Sequence, residues 1–233
     1  MKRVKYSILF IIAAMFASCE LDNFERPDAE LYGTFIDQET GEPLAQDIVN
    51  GTVIEIIEHG WVEGQTNVTQ TLVVKGDGSY RNSQIFAGKY LVRAVRGNFH
   101  EIPPIDTVEI AGRTKLDFMV TPYLRIKEPT IVRDGNVVRA TFKIEQTSAQ
   151  NVNRIGLYVH PNPNVGQPMT LTSRVEQTLD RLTDPDEMFT LEINLDDHTR
   201  TLLPGQQYYF RIGAVTSVPS AKFNYAPPVR ITI

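Results

Sequence analysis

The sequence is poor in the residues that build disulfide frameworks and metal sites. It contains one cysteine and four histidines in 233 residues. The histidines His59, His100, His160 and His198 are spread along the chain. A single cysteine excludes a disulfide within the chain and a cysteine-based zinc site. We therefore expect no metal site and no cofactor.

The sequence also lacks recognisable catalytic motifs. It has no G-x-S-x-G pattern, which would place a serine nucleophile on a tight turn. A glycosidase needs two carboxylates at a defined separation, but 28 acidic residues always contain some such pair. The acidic segments 184–187 and 196–198 lack the regular ligand spacing of a calcium loop. We expect no catalytic residues and no enzymatic activity, with an unrecognised hydrolase as the alternative.

No apolar run is long enough to span a bilayer, which takes about 20 residues. Residues 1–5 carry three cations, residues 6–17 are mostly apolar, and Ala17 and Ser18 are small. This order is typical of a secretory signal peptide. The sole cysteine, Cys19, follows at once in F-A-S-C.

That segment resembles a bacterial lipoprotein signal. The resemblance implies a signal peptide over residues 1–18, cleavage before Cys19, lipidation of the Cys19 thiol and a lipid anchor in the membrane. An ordinary secretory signal with an incidental cysteine is the alternative.

The charge balance is acidic. The full chain has a net charge of −5, and loss of residues 1–18 leaves 20 basic and 28 acidic residues, a net charge of −8. Because nucleic acids reward clustered cations, we expect no nucleic-acid partner. Residues 19–29 are rich in acids and predict a solvated tether. This tether resembles the surface-export signal of Bacteroidetes lipoproteins, although a plain acidic linker explains it equally well.

Residues 30–121 show short alternating runs separated by turns, which predicts an all-β domain. Gly41 and Pro43 lie in a predicted turn, and G-D-G at 76–78 predicts a hairpin. The motifs D-Q-E-T-G-E-P-L (37–44), D-G-S-Y (77–80) and F-A-G-K-Y-L-V-R-A (86–94) occur in that order. Together they resemble the carboxypeptidase-regulatory-like fold. The resemblance implies a transthyretin-like β-sandwich with an accessory, non-catalytic role.

Residues 122–233 predict a second β-sandwich. Val138, Ala140, Phe142 and Ile144 alternate with polar residues, as in a strand with one buried face. The segment L-L-P-G-Q-Q-Y-Y-F-R-I-G-A (202–214) resembles the immunoglobulin and fibronectin III pattern. That resemblance implies a tyrosine corner at Tyr208, with Pro204 and Gly205 in the preceding turn.

The order of parts resembles an uncharacterised family of Bacteroidetes lipoproteins associated with SusC/SusD-type uptake systems. The resemblance implies a lipid-anchored location in the outer membrane, facing either the cell surface or the periplasm. It also implies SusC/SusD-like proteins and a polysaccharide as candidate partners. A structural spacer or protein-docking module without carbohydrate affinity is the alternative.

Aromatic residues in predicted loops are the candidates for glycan contact, because sugar rings stack on aromatic faces. Trp61, the only tryptophan, lies between Gly60 and Gly64 and is the first candidate. Packing at one end of the sandwich is its alternative role. The further candidates are Phe99, His100, Phe223 and Tyr225.

Overall fold

The computed structural model describes residues 26–48, 50–60 and 68–233. Within them the regular structure is almost entirely β, and the one helical segment there is a 3-10 turn at Leu195–His198. None of the helices in these residues is long and apolar enough to cross a bilayer. Cys19, Trp61 and the predicted signal peptide lie outside the described residues. The chain is all-β with two tandem β-sandwich domains, as the sequence predicts.

Within the described residues, eight strands form the N-terminal sandwich. In chain order they are β1 (Ala29–Asp37), β2 (Val53–Glu58), β3 (Thr69–Val73), β4 (Ser79–Ile85), β5 (Gly88–Arg96), β6 (Ile105–Ile110), β7 (Arg113–Lys115) and β8 (Phe118–Val120). One sheet has the order β4-β1-β7, with β8 also paired to β1, and the other has the order β3-β2-β5-β6. Their facing sides bury a common core that includes Leu31, Phe35, Ile54, Ile56 and Tyr80.

The G-D-G segment does not make the predicted hairpin. Its flanking strands β3 and β4 belong to different sheets, since β3 pairs with β2 and β4 pairs with β1. The local turn is nevertheless tight, because Gly78 N–H donates to the Lys75 carbonyl at 2.9 Å. The turn signal was therefore right, but the turn crosses from one sheet to the other.

The alternation of apolar and polar residues over 114–120 predicts one strand, but the structure splits this segment into β7 and β8. Both pieces run parallel to β1, with Leu116 and Asp117 between them. The Leu116 carbonyl occupies the space that a side chain at Gly33 would need. Asp117 caps the break by accepting a hydrogen bond from Thr34 N–H at 3.0 Å.

Strand β1 begins within the predicted tether, at its last residue. β1 begins at Ala29, which is buried, and the next residue, Glu30, is buried as well. Glu30 pairs with Arg81 at 2.8 Å and lies 3.6 Å from Arg113. Glu30 is therefore an ion-paired residue of the sandwich rather than a solvated acid.

Eight strands form the C-terminal sandwich. They are β9 (Leu124–Asp134), β10 (Val137–Gln146), β11 (Val152–His160), β12 (Val175–Arg181), β13 (Phe189–Asn194), β14 (Gln207–Thr216), β15 (Asn224–Tyr225) and β16 (Val229–Thr232). One sheet has the order β13-β10-β9, and the other has the order β12-β11-β14-β15, with β16 also on β14. The predicted alternation on β10 holds, since Val138, Ala140, Phe142 and Ile144 are all buried.

The turns that the sequence predicts next to β1 and β14 have the expected backbone. Gly41 and Gly205 have φ angles of +72° and +77°, which glycine adopts without strain. Pro43 follows the first turn and forms a bridge opposite Ile36. The Tyr208 hydroxyl accepts a hydrogen bond from Leu203 N–H at 3.0 Å and donates one to the Thr201 carbonyl at 3.2 Å. This arrangement is a tyrosine corner, and it ties the 201–205 turn to β14.

We expect Tyr208→Phe to lower the free energy of unfolding by about 1 kcal/mol, because it removes both part-buried hydrogen bonds that the hydroxyl makes with Leu203 N–H and the Thr201 carbonyl. Urea unfolding of the purified chain measures the loss. Tyr209→Phe is the matched control, since Tyr209 is the next residue, is half-buried and makes no side-chain hydrogen bond within the described residues. Equal stability of the two variants would contradict the role of the corner.

Candidate functional site at the domain junction

Arg211 joins the two sandwiches through hydrogen bonds to backbone carbonyls. It lies on β14 and is 3% exposed. In its own domain its guanidinium donates to the carbonyls of Ala226 and Val165, both at 3.0 Å. Across the junction it donates to the carbonyls of Gln46 and Gly76, both at 3.3 Å. One side chain thereby fixes two loops of the N-terminal domain against the C-terminal sheet.

Asp47 supplies a negative charge to the same contact. Its carboxylate accepts a hydrogen bond from the Tyr225 hydroxyl at 3.0 Å. Burial raises the pKa of Asp47 to about 6, against the opposing effects of the Tyr225 hydrogen bond and the Arg211 charge. Burial also lowers the pKa of Arg211, which stacks on the Tyr225 ring with 4.3 Å from its Cζ to the ring centroid. The junction therefore contains desolvated charges of both signs.

A pair of glycines makes room for the aromatic rings of this contact. Gly156 on β11 and Gly213 on β14 lie opposite each other in the sheet. A Cβ at Gly213 would lie 2.6 Å from the Tyr225 ring and 3.0 Å from the Tyr158 ring. Because neither glycine has a side chain, the outer face of the sheet has room for the rings of Tyr158 and Tyr225. These two rings form a buried cluster with Phe223, Val165 and Val215.

Two further polar contacts reinforce the junction. Arg125, at the start of β9, forms a two-point ion pair with Asp37, at the end of β1, with distances of 2.5 and 2.9 Å. Burial opposes ionisation of Asp37, but the Arg125 hydrogen bonds lower its pKa overall. Asn98 donates to the carbonyls of Ala45 at 2.9 Å and Phe223 at 3.0 Å, and Asn224 donates to the Asn98 carbonyl at 2.9 Å. The domains are therefore held by specific, directional bonds rather than by a flexible linker.

A concave groove of about 560 Å³ opens beside this contact, and we call it the junction groove. Its N-terminal wall is the end of β5 and the loop that follows, and its other wall is the loop between β14 and β15. Its lining includes Glu55, Arg93, Arg96, Phe99, Glu101, Tyr123 and the segment Pro219–Ala221. The volume is within the range of small-molecule and oligosaccharide sites.

The groove combines an aromatic ring with exposed charged groups. Tyr123 is half-buried, and His100 packs edge-on against it with 4.8 Å between ring centroids. Glu55 pairs with Arg93 through the guanidinium nitrogens at 2.6 and 2.7 Å. Arg96 and Glu101 are exposed. Such a surface can stack on the apolar face of a ring and hydrogen-bond to polar substituents around it.

The structure brings only part of the predicted site together. Phe99 is 5% exposed and stacks on Phe35, so it contributes the floor of the groove rather than a free ring. His100 lies behind Tyr123, where its Nε2 is 3.0 Å from the Thr147 hydroxyl. Trp61 lies outside the described residues, so its role stays a prediction.

The interpretation of Phe223 and Tyr225 as exposed ligand platforms is corrected. Each is 7% exposed, and their rings stack on each other and against Tyr158. A ring packed on both sides cannot receive a sugar. These residues build the domain contact, and the Tyr225 hydroxyl additionally accepts a hydrogen bond from Gln167 N–H at 2.8 Å.

Comparison with known proteins identifies the family. Residues 29–121 match the description "Protein of unknown function (DUF3823) N-terminal domain", and residues 124–230 match "Domain of unknown function (DUF3823_C)". The chain belongs to the DUF3823 family. No curated protein sequence matches it.

Solved structures of similar proteins come from species of Bacteroides and Parabacteroides. A "putative carbohydrate binding protein" from Bacteroides uniformis is 33% identical, with a TM-score of 0.82 over 89% of this chain and all of its own. DUF3823 proteins from Bacteroides uniformis and Parabacteroides merdae are each 19% identical, with TM-scores of 0.73 and 0.72. Both comparisons again cover 89% of this chain and all of the other. The latter two share the fold.

Sequence reasoning missed Tyr123, Arg96, Asp47 and Arg211. Tyr123 lies in the short segment between the two domains, where sequence alone indicates a linker. Arg211 alternates with the inward residues Phe210 and Ile212, a pattern that predicts a solvated side chain when one domain is considered alone. Only the packing of the second DUF3823 domain against the first reveals these positions.

The described residues contain no group of three or more His, Cys, Asp or Glu side chains placed to hold a metal ion. The groove accordingly offers hydrogen bonds, charge and ring stacking as its means of recognition.

We expect Asp47→Asn to change how stability depends on pH. The folded state holds the pKa of Asp47 near 6 instead of 3.8, so it binds more protons than the unfolded state between about pH 4 and 6. The contribution of Asp47 to the free energy of unfolding therefore falls as the pH rises. From pH 4 to pH 7 the wild type should lose about 2 kcal/mol relative to the variant.

Urea unfolding at several pH values measures this difference, and the comparison cancels the other titrating groups. Glu109→Gln should follow the wild type, since Glu109 is exposed and its side chain makes no hydrogen bond or ion pair within the described residues. Parallel pH curves for the wild type and Asp47→Asn would show that burial does not raise the pKa of Asp47.

Proposed function

We propose that this protein is a non-catalytic, glycan-binding lipoprotein of the outer membrane, exposed at the cell surface and associated with a SusC/SusD-type uptake system. The observation that carries the proposal is the junction groove, whose lining combines the ring of Tyr123 with the charged groups at the end of β5. The 33% identical protein described as carbohydrate-binding supports the same ligand class.

The rigid junction explains why such a groove can work without a moving part. The groove loop at 219–221 is followed by Lys222, whose N–H donates to the Gly97 carbonyl at 3.0 Å. Asn98 then continues the hydrogen bonding to Phe223. Both walls are thereby held in place before a ligand arrives, which reduces the entropy cost of binding.

A spacer or protein-docking role is the second candidate, and the same junction favours it. Two sandwiches fixed by Arg211, Asp37 and Asn98 form a stiff unit suited to holding a partner at a distance from the membrane. This role requires no carbohydrate affinity, so a binding assay separates the two.

We expect affinity electrophoresis on a panel of polysaccharides to show retardation of the mature chain by at least one glycan. Tyr123→Ala should weaken that binding by about tenfold, because it removes the aromatic face of the groove. Tyr32→Ala is the matched control. Tyr32 is a half-buried tyrosine on β1, in the sheet of the N-terminal domain that does not contain β5. Reducing-sugar release by the wild type would contradict a non-catalytic role.

Trp61→Ala belongs in the same assay. A loss of binding with Trp61→Ala, together with normal binding by Tyr123→Ala, would move the site from the groove to the segment around Trp61. Absence of retardation by every glycan would favour the spacer.

We expect Cys19→Ser to release the protein from the membrane. The serine hydroxyl cannot take the place of the lipidated thiol, and each lost CH₂ of buried acyl chain removes about 0.8 kcal/mol of membrane affinity. Fractionation of cells into membrane pellet and supernatant measures the shift. A variant that stays in the pellet as the wild type does would rule out lipid anchoring through Cys19.

A further inference from the structure

Two cations lie together at one edge of the junction groove, although the full chain has a net charge of −5. The groove lining contains two arginines, Arg93 and Arg96, and two carboxylates, Glu55 and Glu101, and Lys222 directly follows the lining segment Pro219–Ala221. Arg93 is neutralised by its pair with Glu55. Arg96 and Lys222 are the cations left beside Glu101.

Arg96 and Lys222 come from different domains and meet at one turn. Arg96, the last residue of β5, donates from Nε to the Gly51 carbonyl at 2.9 Å. Lys222 donates from Nζ to Oδ1 of the neighbouring residue, Asn50, at 2.9 Å. Because Asn50 and Gly51 are consecutive, the two cationic groups lie side by side at the edge of the groove.

The two neighbouring cations repel each other. Burial lowers the pKa of Lys222, and the charge of Arg96 lowers it further. Within the described residues no carboxylate lies within salt-bridge distance of either cation, although the more distant Asp47 partly offsets the repulsion at Lys222. An anionic ligand group would relieve this repulsion.

Arg96 also retains free donors. Within the part of the chain that the structure describes, only its Nε makes a hydrogen bond, so Nη1 and Nη2 are available. A guanidinium with both terminal nitrogens free can bind a carboxylate or a sulfate through two parallel hydrogen bonds. Arg96 is exposed, so a polymer can reach it from solvent.

We propose that the junction groove selects acidic polysaccharides, with Arg96 and Lys222 binding a carboxylate or sulfate group while Tyr123 contacts a sugar ring. This inference rests on the proposed function and narrows its ligand class. The acidic net charge of the rest of the chain would repel a polyanion elsewhere, and so directs it to this groove.

Isothermal titration with paired polymers tests the proposal. Polygalacturonate is compared with its fully methyl-esterified form, and chondroitin sulfate with its desulfated form. We expect binding to at least one acidic polymer and at least tenfold weaker binding to the matching form without that charge. The two pairs distinguish a carboxylate from a sulfate as the group recognised.

Arg96→Gln should weaken acidic-polymer binding by about tenfold, which corresponds to about 1.4 kcal/mol. Lys222→Gln should act in the same direction, and Arg96→Lys should retain part of the affinity because it keeps the charge. Arg133→Gln is the matched control, since Arg133 is also exposed and donates to backbone carbonyls, those of Gly135 and Thr232. Circular dichroism verifies that each variant is folded.

The outcomes separate this inference from the proposed function. Binding of neutral glycans that depends on Tyr123 but not on Arg96 would overturn the acidic selectivity and leave the glycan-binding function standing. Equal binding of charged and esterified polymers would do the same. Failure to bind any polymer, acidic or neutral, would overturn both. Acidic binding weakened equally by Arg96→Gln and Arg133→Gln would show a nonspecific charge effect and overturn the assigned site.

Discussion

The buried guanidinium of Arg211 is the interaction on which the two-domain arrangement depends. A charge that has lost its water must find other partners, because desolvation without them costs several kcal/mol. Arg211 finds four backbone carbonyls, two of them in the other domain, and the face of Tyr225. Since hydrogen bonds are directional, this contact defines one relative position of the domains rather than a range of positions.

The junction groove is a consequence of that fixed position. Its walls belong to different domains, and Tyr123 lies in the segment that connects them. Antiparallel bonding of residues 98–100 with 121–123 holds Tyr123 beside His100. A flexible linker would leave these walls without a constant separation, and the cations Arg96 and Lys222 would not share one turn. The candidate function is therefore a property of the assembly of the two domains.

The polar character of the contact also has a cost. Asp47 is buried near Arg211, and its burial disfavours the charged carboxylate and so raises its pKa. An apolar interface could hold two sandwiches together equally well. Polar partners instead specify the pairing, since each donor must meet its own acceptor. This specificity matters where the shape of a groove depends on the pairing.

The sequence determined the fold class and much of the strand pattern. Alternation on β10 and the Tyr208 corner are local signals, because period-two burial and turn geometry depend on neighbouring residues. The passage of the chain from one sheet to the other at G-D-G and the break at Leu116 are not local features. Both depend on the pairing of distant segments, β4, β7 and β8, with β1. The candidate rings Phe223 and Tyr225 have the same limitation, since their burial depends on packing against Tyr158 and Val165, which lie in distant segments of the chain.

By itself, then, the sequence determined an all-β chain of two sandwiches and predicted a membrane location through lipidation of Cys19. Only the tertiary structure decided which outward-facing residues are solvated. Arg211 and Tyr225 lie outside the main core of their own sandwich, are buried, and bond to residues of the neighbouring domain. Arg96 and Lys222 are 126 positions apart, and the turn at Asn50 and Gly51 brings them together. Contacts between distant segments depend on packing, which no local pattern of residues records.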